Sequence, residues 1–157
     1  MRFVVQRVAS AFVDISGRRA ASIGPGLVVL AGFGREDGPE LPGSRVWGTM
    51  LDKLVSLRVF ADAAGRMNLG VTEVGGELLV VSQFTLYADC RRGRRPSFAA
   101  AAEPTLAESL YDRLCADLAA RLPGRVFTGV FGADMDVGLV NQGPVTVVLD
   151  ARDFLGG

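Results

Sequence analysis

The sequence contains no histidine. That absence removes Ser-His-Asp and Cys-His nucleophilic arrangements, the usual general base at neutral pH, and every zinc site that needs imidazole. Cysteine is scarce: Cys90 and Cys115 are the only two, they form no CxxC pair, and two thiols alone do not close a structural zinc site. Their spacing leaves a disulfide open, and two reduced thiols are the expectation for a cytosolic chain. An excess of charge of one sign is also missing. Seventeen basic residues balance seventeen acidic ones, so any nucleic-acid contact has to come from a local patch. Lysine occurs once, at Lys53, and the other sixteen basic residues are arginine, the side chain whose planar fork holds a phosphate at two points. No run approaches the roughly 18 apolar residues of a membrane span. The first segment, MRFVVQRVASAFVDI, is interrupted by Gln6, Arg7 and Asp14 and has neither the apolar stretch nor the cleavage site of a signal peptide. A cytoplasmic protein with no membrane partner is expected.

What is present fits one α+β domain over residues 1–150 with a short extension over 151–157. An apolar fraction of 49% in 157 residues supplies a core, and 22% charged residues is ordinary for a globular chain. Valine-rich stretches predict strands over 2–8, 11–15 and 20–23. Gly24-Pro25-Gly26 is a turn signal, and 27–33 reads as a buried strand, so the first third is a β meander. Helical spacing of Val46, Trp47, Met50, Leu51, Leu54 and Val55 predicts a helix over 44–56. A strand follows at 57–60, and residues 66–69 lead through Gly75-Gly76 to the strand at 78–81. Leu106, Leu110, Leu114 and Leu118 recur every fourth residue, Thr105 and Glu108 have capping-box spacing, and Pro123-Gly124 stops the pattern, giving a second helix over 104–122. Strands over 125–131, 137–140 and 145–150 complete a mainly antiparallel, barrel-like β core with two main helices. Gly156 and Gly157 read as a loose end.

The most informative stretch is Leu78 to Phe98. An apolar run (Leu78 to Val81) reads as a buried strand, and Ser82, Gln83 and Thr85 then place two hydroxyls and an amide at its end, with Phe84 and Leu86 between them. Four arginines follow within five residues: Arg91, Arg92, Arg94 and Arg95. Such a strand end suits a neutral electrophile carried on a polyanion. Ser82 and Thr85 have a plainer reading, in which their hydroxyls satisfy backbone groups at a strand end, and the arginine run is otherwise a solvated surface.

Ser82-Gln83-Phe84-Thr85-Leu86 and Asn141-Gln142-Gly143-Pro144-Val145-Thr146 resemble the signature segments of the D-aminoacyl-tRNA deacylases. The resemblance extends to Gln6-Arg7-Val8, Gly24-Pro25-Gly26, Met67-Asn68-Leu69, Arg94-Arg95-Pro96-Ser97-Phe98 and Phe131-Gly132-Ala133-Asp134-Met135, in the family's order and over nearly the whole chain up to Asp150. Gln142 departs from it, since aspartate is common there. The resemblance implies hydrolysis of the ester between a D-amino acid, or mischarged glycine, and the 3′-terminal adenosine of tRNA. It also implies sparing of L-aminoacyl-tRNA, no cofactor or metal, and a homodimer with its active sites at the subunit interface.

It further implies roles for particular residues. Ser82, Gln83, Phe84 and Thr85 form the catalytic segment, with backbone N–H groups of Phe84 and Thr85 polarising the ester carbonyl. Thr85 either attacks or orients, and orientation is favoured because no base partner is in sight. A Gly-Pro before a strand is by itself usually a turn. By resemblance Gly143-Pro144 is a cis pair that reaches into the partner subunit's site and excludes an L side chain. Arg7 fixes that loop, where its plain reading is a solvated strand-end charge. Phe131 and Met135 line the pocket for the terminal adenine, where their plain reading is core residues about a turn. The arginine run acquires a second reading, contact with acceptor-stem phosphates. A non-catalytic RNA-binding module, a dimeric scaffold without ligand and a serine-type esterase are the alternatives.

Overall fold

A computed structural model describes residues 1–155. Its frame is one long strand, β1 (Arg2–Ile15), which pairs antiparallel with three others. Along one edge lie β3 (Gly26–Gly32) and then β2 (Arg18–Ile23), and along the other runs β8 (Asp136–Asp150). The predicted strands over 2–8 and 11–15 are thus one strand. Nothing between Val8 and Ala11 can turn the chain, and Ala9 and Ser10 take up a register shift instead. The predicted strands over 137–140 and 145–150 are likewise one strand, interrupted by a bulge.

Two pairings are parallel: β3 with β6 (Glu77–Ser82), and β6 with β7 (Val126–Thr128). Each needs a long crossover. The first carries α1 (Arg45–Ser56) and the small hairpin of β4 (Phe60–Ala61) and β5 (Met67–Leu69), and the second carries α2 (Pro104–Arg121). The result is an α+β fold with a mixed, nearly barrel-shaped sheet and two main helices. β6 is covered on both faces, which is why it reads as an unbroken apolar run. Leu78 and Val80 face the helical layer with Leu27, Val29 and Leu114, whereas Leu79 and Val81 join Val8, Val13 and Val28 in a second cluster on the opposite face.

The helices start where local chemistry starts them. Ser44 caps α1, its Oγ accepting from the Trp47 amide at 3.2 Å. Trp47, Met50, Leu51 and Leu54 are the buried face of α1, and Trp47 Nε1 donates to Asp117 on α2 at 2.9 Å. The capping box expected at Thr105 does not form. Pro104 opens α2 at its first position and Glu103 is the capping residue, so Thr105 already lies inside the helix. Residues Ala151–Phe154 form a 3-10 turn with Ala151 in the core. Gly156 and Gly157, read as a loose end, lie outside the described residues. Cys90 and Cys115 are free thiols, and burial pushes the Cys115 thiol up to about 11. Among the described residues, no helix is long and apolar enough to cross a membrane.

Candidate active site

β6 delivers Ser82 to its end, and the chain then turns sharply. The Gln83 amide still donates to the Ala31 carbonyl of β3 at 2.8 Å, after which Phe84–Tyr87 forms a single 3-10 turn. Gly32 makes room for it: a Cβ there would stand 2.8 Å from the Gln83 carbonyl oxygen and 3.2 Å from Leu86 Cβ. The first amides of such a turn have no acceptor within it. Among the described residues those of Phe84 and Thr85 find none elsewhere. The Gln83 side-chain amide donates to Thr85 Oγ1. Thr85 therefore has an amide, not a base, against its hydroxyl.

Ser82 and Phe84 border a cavity of about 480 Å3, whose lining also includes Phe98, Ala102, Glu103 and Phe131. Glu103, on the rim at the start of α2, is the one ionisable side chain in that lining. Phe131 is held by Tyr111, whose ring lies 6.0 Å away and whose hydroxyl reaches the carbonyls of Val80 at 2.9 Å and Gly129 at 3.3 Å. Met135 does not line this cavity. Its sulfur fills the space beside Gly129 and packs against the second core cluster. A wider hollow of about 610 Å3 beside Arg2, Tyr87, Arg91 and Arg152 contains none of the Ser82-to-Phe84 groups.

Arg7 lies within β1, not near a strand end. At its position the β1–β8 ladder breaks: Gln6 pairs with Thr146 and Val8 with Asn141, so residues 142–145 bulge out opposite Arg7. The Gly143-Pro144 peptide in that bulge is cis, and Gly143 has φ +123°. Arg7 Nε donates to the Gln142 carbonyl at 3.0 Å, and its Nη1 donates to the Val59 carbonyl. Asn141 clasps the neck of the bulge. Its Oδ1 accepts from the Val145 amide at 2.8 Å, and its Nδ2 donates to Thr146 Oγ1 at 3.0 Å. Gly143 and Pro144 are exposed and, within the one chain, do not border the cavity next to Ser82.

The site residues expected from the sequence are Ser82, Gln83, Phe84, Thr85, Gly143, Pro144, Arg7, Phe131 and Met135. The structure gathers Ser82, Phe84 and Phe131 on one cavity and Arg7 with Gly143-Pro144 in one bulge. Gln83 and Thr85 pair beside the first group, and Met135 stands apart. Phe98, Glu103, Tyr111 and the clasping Asn141 received no role from sequence. Asn141 carried a usable signal, an amide two residues before Gly-Pro, where an Asn side chain closes tight turns on the backbone. Phe98 and Tyr111 carried none, because their partners are remote in the chain. Among the described residues, no group of three or more Cys, Asp or Glu side chains gathers as metal donors.

A family model described as "D-Tyr-tRNA(Tyr) deacylase" matches residues 4–150. A protein of Nitratidesulfovibrio vulgaris named D-aminoacyl-tRNA deacylase is 61% identical over 154 residues, covering 98% of this chain and 95% of that protein. A Solidesulfovibrio magneticus protein of the same name is 56% identical over 157 residues, covering 100% and 99%. Among solved structures, "c-Myc DNA Unwinding Element Binding Protein" superposes with TM-score 0.86 at 36% identity over 96% of this chain and 98% of that one. A "probable eukaryotic D-amino acid tRNA deacylase" superposes at 0.77 and 17% identity over 94% and 97%, a likeness of fold alone. The chain belongs to the D-Tyr-tRNA(Tyr) deacylase family, hydrolases of the aminoacyl-tRNA ester bond.

Proposed function

We propose that this chain removes D-amino acids, and mischarged glycine, from the 3′-terminal adenosine of tRNA and leaves L-aminoacyl-tRNA intact. The observation that carries the reading is the pair of unpartnered amides at Phe84 and Thr85 beside an apolar cavity bordered by Ser82 and Phe131. An aminoacyl ester is already activated, so the protein has to hold its carbonyl, admit water and stabilise the developing oxyanion. Two preorganised N–H groups meet that demand without histidine, and losing one such donor typically costs about 3 kcal/mol. Water adds to the carbonyl carbon and gives a proton to the substrate's 2′-hydroxyl, which passes its own proton to the neighbouring 3′-oxygen as the tetrahedral intermediate collapses and that oxygen leaves. Thr85, fixed by Gln83, orients the attack.

Handedness is set by exclusion. Gly143-Pro144 of one subunit enters the cavity of a second copy, and its carbonyls occupy the side from which an L side chain would project. The anchoring of Gln142 by Arg7 and the exposure of Gly143 and Pro144 away from their own chain's cavity support this arrangement. Glycine, with no side chain, passes the same gate.

The test is separate incubation of the purified protein with D-Tyr-tRNA and L-Tyr-tRNA. Rapid loss of only the D-ester is the expected result. Binding of either tRNA with no hydrolysis would identify a non-catalytic RNA-binding module instead.

A further inference from the structure

We infer that the arginine loop and the Phe84–Phe98 ring pair form a track for the unpaired 3′ end of tRNA, taking the nucleotides just before the terminal adenosine. This rests on the deacylase reading above and adds the surface that holds the rest of the acceptor end.

The loop from Asp89 to Ser97 is a built feature, not a loose charge run. Its base is pinned by two backbone hydrogen bonds, Asp89 N to Ser97 O at 2.7 Å and Ser97 N to Asp89 O at 2.9 Å. Gly93, at φ +68°, turns its tip. Arg91 is paired with Asp89 at 2.7 Å. Arg92, Arg94 and Arg95 are exposed and have no acidic partner among the described residues. In a chain of zero net charge, that is three uncompensated cations within four residues, each able to take a phosphate.

The residue after Ser97 is Phe98, which borders the Ser82 cavity. Its ring meets that of Phe84 edge-on, centroids 5.0 Å apart at 69°, and the two residues stay 38% and 55% exposed. Exposed rings beside a cationic loop are the two components of a single-strand binding surface, a π-face for a base and charge for the backbone. A duplex would use the arginines but not the rings, because its bases are stacked on one another. The rings therefore favour the unpaired end over the acceptor stem.

The experiment uses D-tyrosine esters of adenosine, CpA and CpCpA, together with D-Tyr-tRNA, on wild type and on an R92A/R94A/R95A variant. For wild type, kcat/KM rises by at least about tenfold from the adenosine ester to the CpCpA ester, and the rise disappears in high salt. For the triple alanine variant, the adenosine ester is hydrolysed within about twofold of wild type and the rise is lost; a triple lysine variant keeps most of it. CpCpA has two internucleotide phosphates, so losing their contacts makes the log–log salt slope on that ester shallower by about 1.4 in the alanine variant. F98L lowers the CpA-to-adenosine ratio while leaving the salt slope unchanged. Equal kcat/KM of wild type and alanine variant on the CpCpA ester overturns the inference, as does a gain that appears only when a duplex stem is attached. If wild type hydrolyses none of the four substrates, the deacylase reading fails and the track falls with it, a result distinct from either of those.

Discussion

Arg7 Nε donates to the Gln142 carbonyl at 3.0 Å, across the one place where four residues of β8 face a single residue of β1. The same guanidinium reaches the Val59 carbonyl, so one side chain ties the bulge to the segment that follows α1. A lysine has a single point of attachment and no fork. Arg7→Lys is expected to lower the D-over-L preference and to cost about 1–3 kcal/mol in denaturant unfolding, since one carbonyl loses a charged donor. Unchanged preference with lowered stability would make Arg7 a structural residue only.

Thr85 offers a separate test of the chemistry. With Gln83 Nε2 donating to its hydroxyl and no other side-chain hydrogen bond to that hydroxyl among the described residues, Thr85→Ala is expected to slow single-turnover hydrolysis of D-Tyr-tRNA by about 10- to 100-fold, with no acyl-enzyme burst in the wild type. A loss on the order of 10⁴-fold or more, of the size seen when a nucleophile is removed, would assign the attack to Thr85.

Subunit mixing tests where each site's parts come from. On the proposed cross-subunit arrangement, a Thr85→Ala protomer and a G143A/P144A protomer are each expected to be impaired as homodimers. In a mixed dimer, one site combines the intact Thr85 segment of one chain with the intact Gly-Pro of the other. Random pairing then restores roughly a quarter of the D-selective activity. No restoration after verified exchange would place both parts within one chain.

Asp150 gives a pH prediction. Its carboxylate accepts from Arg152 at 2.7 and 3.0 Å and from Arg2 at 2.7 and 2.9 Å. These contacts, with Arg152 the larger influence, hold it well below the usual carboxylate range. A pKa lowered on folding means the unfolded chain binds the proton first as pH falls. The stabilisation is therefore fully present above about pH 4 and is lost as pH drops toward the folded value. Asp150→Asn is expected to cost about 1–3 kcal/mol at pH 7. The gap from wild type should narrow steadily in unfolding curves taken at falling pH below about 4. A gap independent of pH would mean that packing, not charge, is what the substitution disturbs.

The helices were legible in sequence because Leu110, Leu114 and Leu118, and Trp47, Met50, Leu51 and Leu54, carry a local period that burial then uses. β6 was legible as an apolar run. Its parallel pairing with β3 and β7 was not, since no local pattern states which remote strand lies alongside. The Ser82 to Thr85 segment announced itself by polar residues at the end of an apolar strand. Gly143-Pro144 was visible only as a turn signal until the resemblance gave it a role. That it interrupts one continuous strand opposite Arg7 depends on a register 135 residues away in the chain. Phe98 reaches the cavity because two hydrogen bonds close the arginine loop behind it, and Tyr111 steadies Phe131 from α2. Neither relation leaves a trace in spacing.

The most direct measurement is the ratio of kcat/KM for D-Tyr-tRNA to that for L-Tyr-tRNA, in wild type and in the G143A/P144A variant. A Cβ at Gly143 would stand 2.5 Å from Arg7 Nη2, and its φ of +123° disfavours an L side chain, so the variant must shift the bulge or the Arg7 side chain that anchors it. The account predicts a wild-type ratio far above one that falls toward one in the variant, or a loss of both activities. A variant that retains full activity and the full wild-type ratio would contradict it.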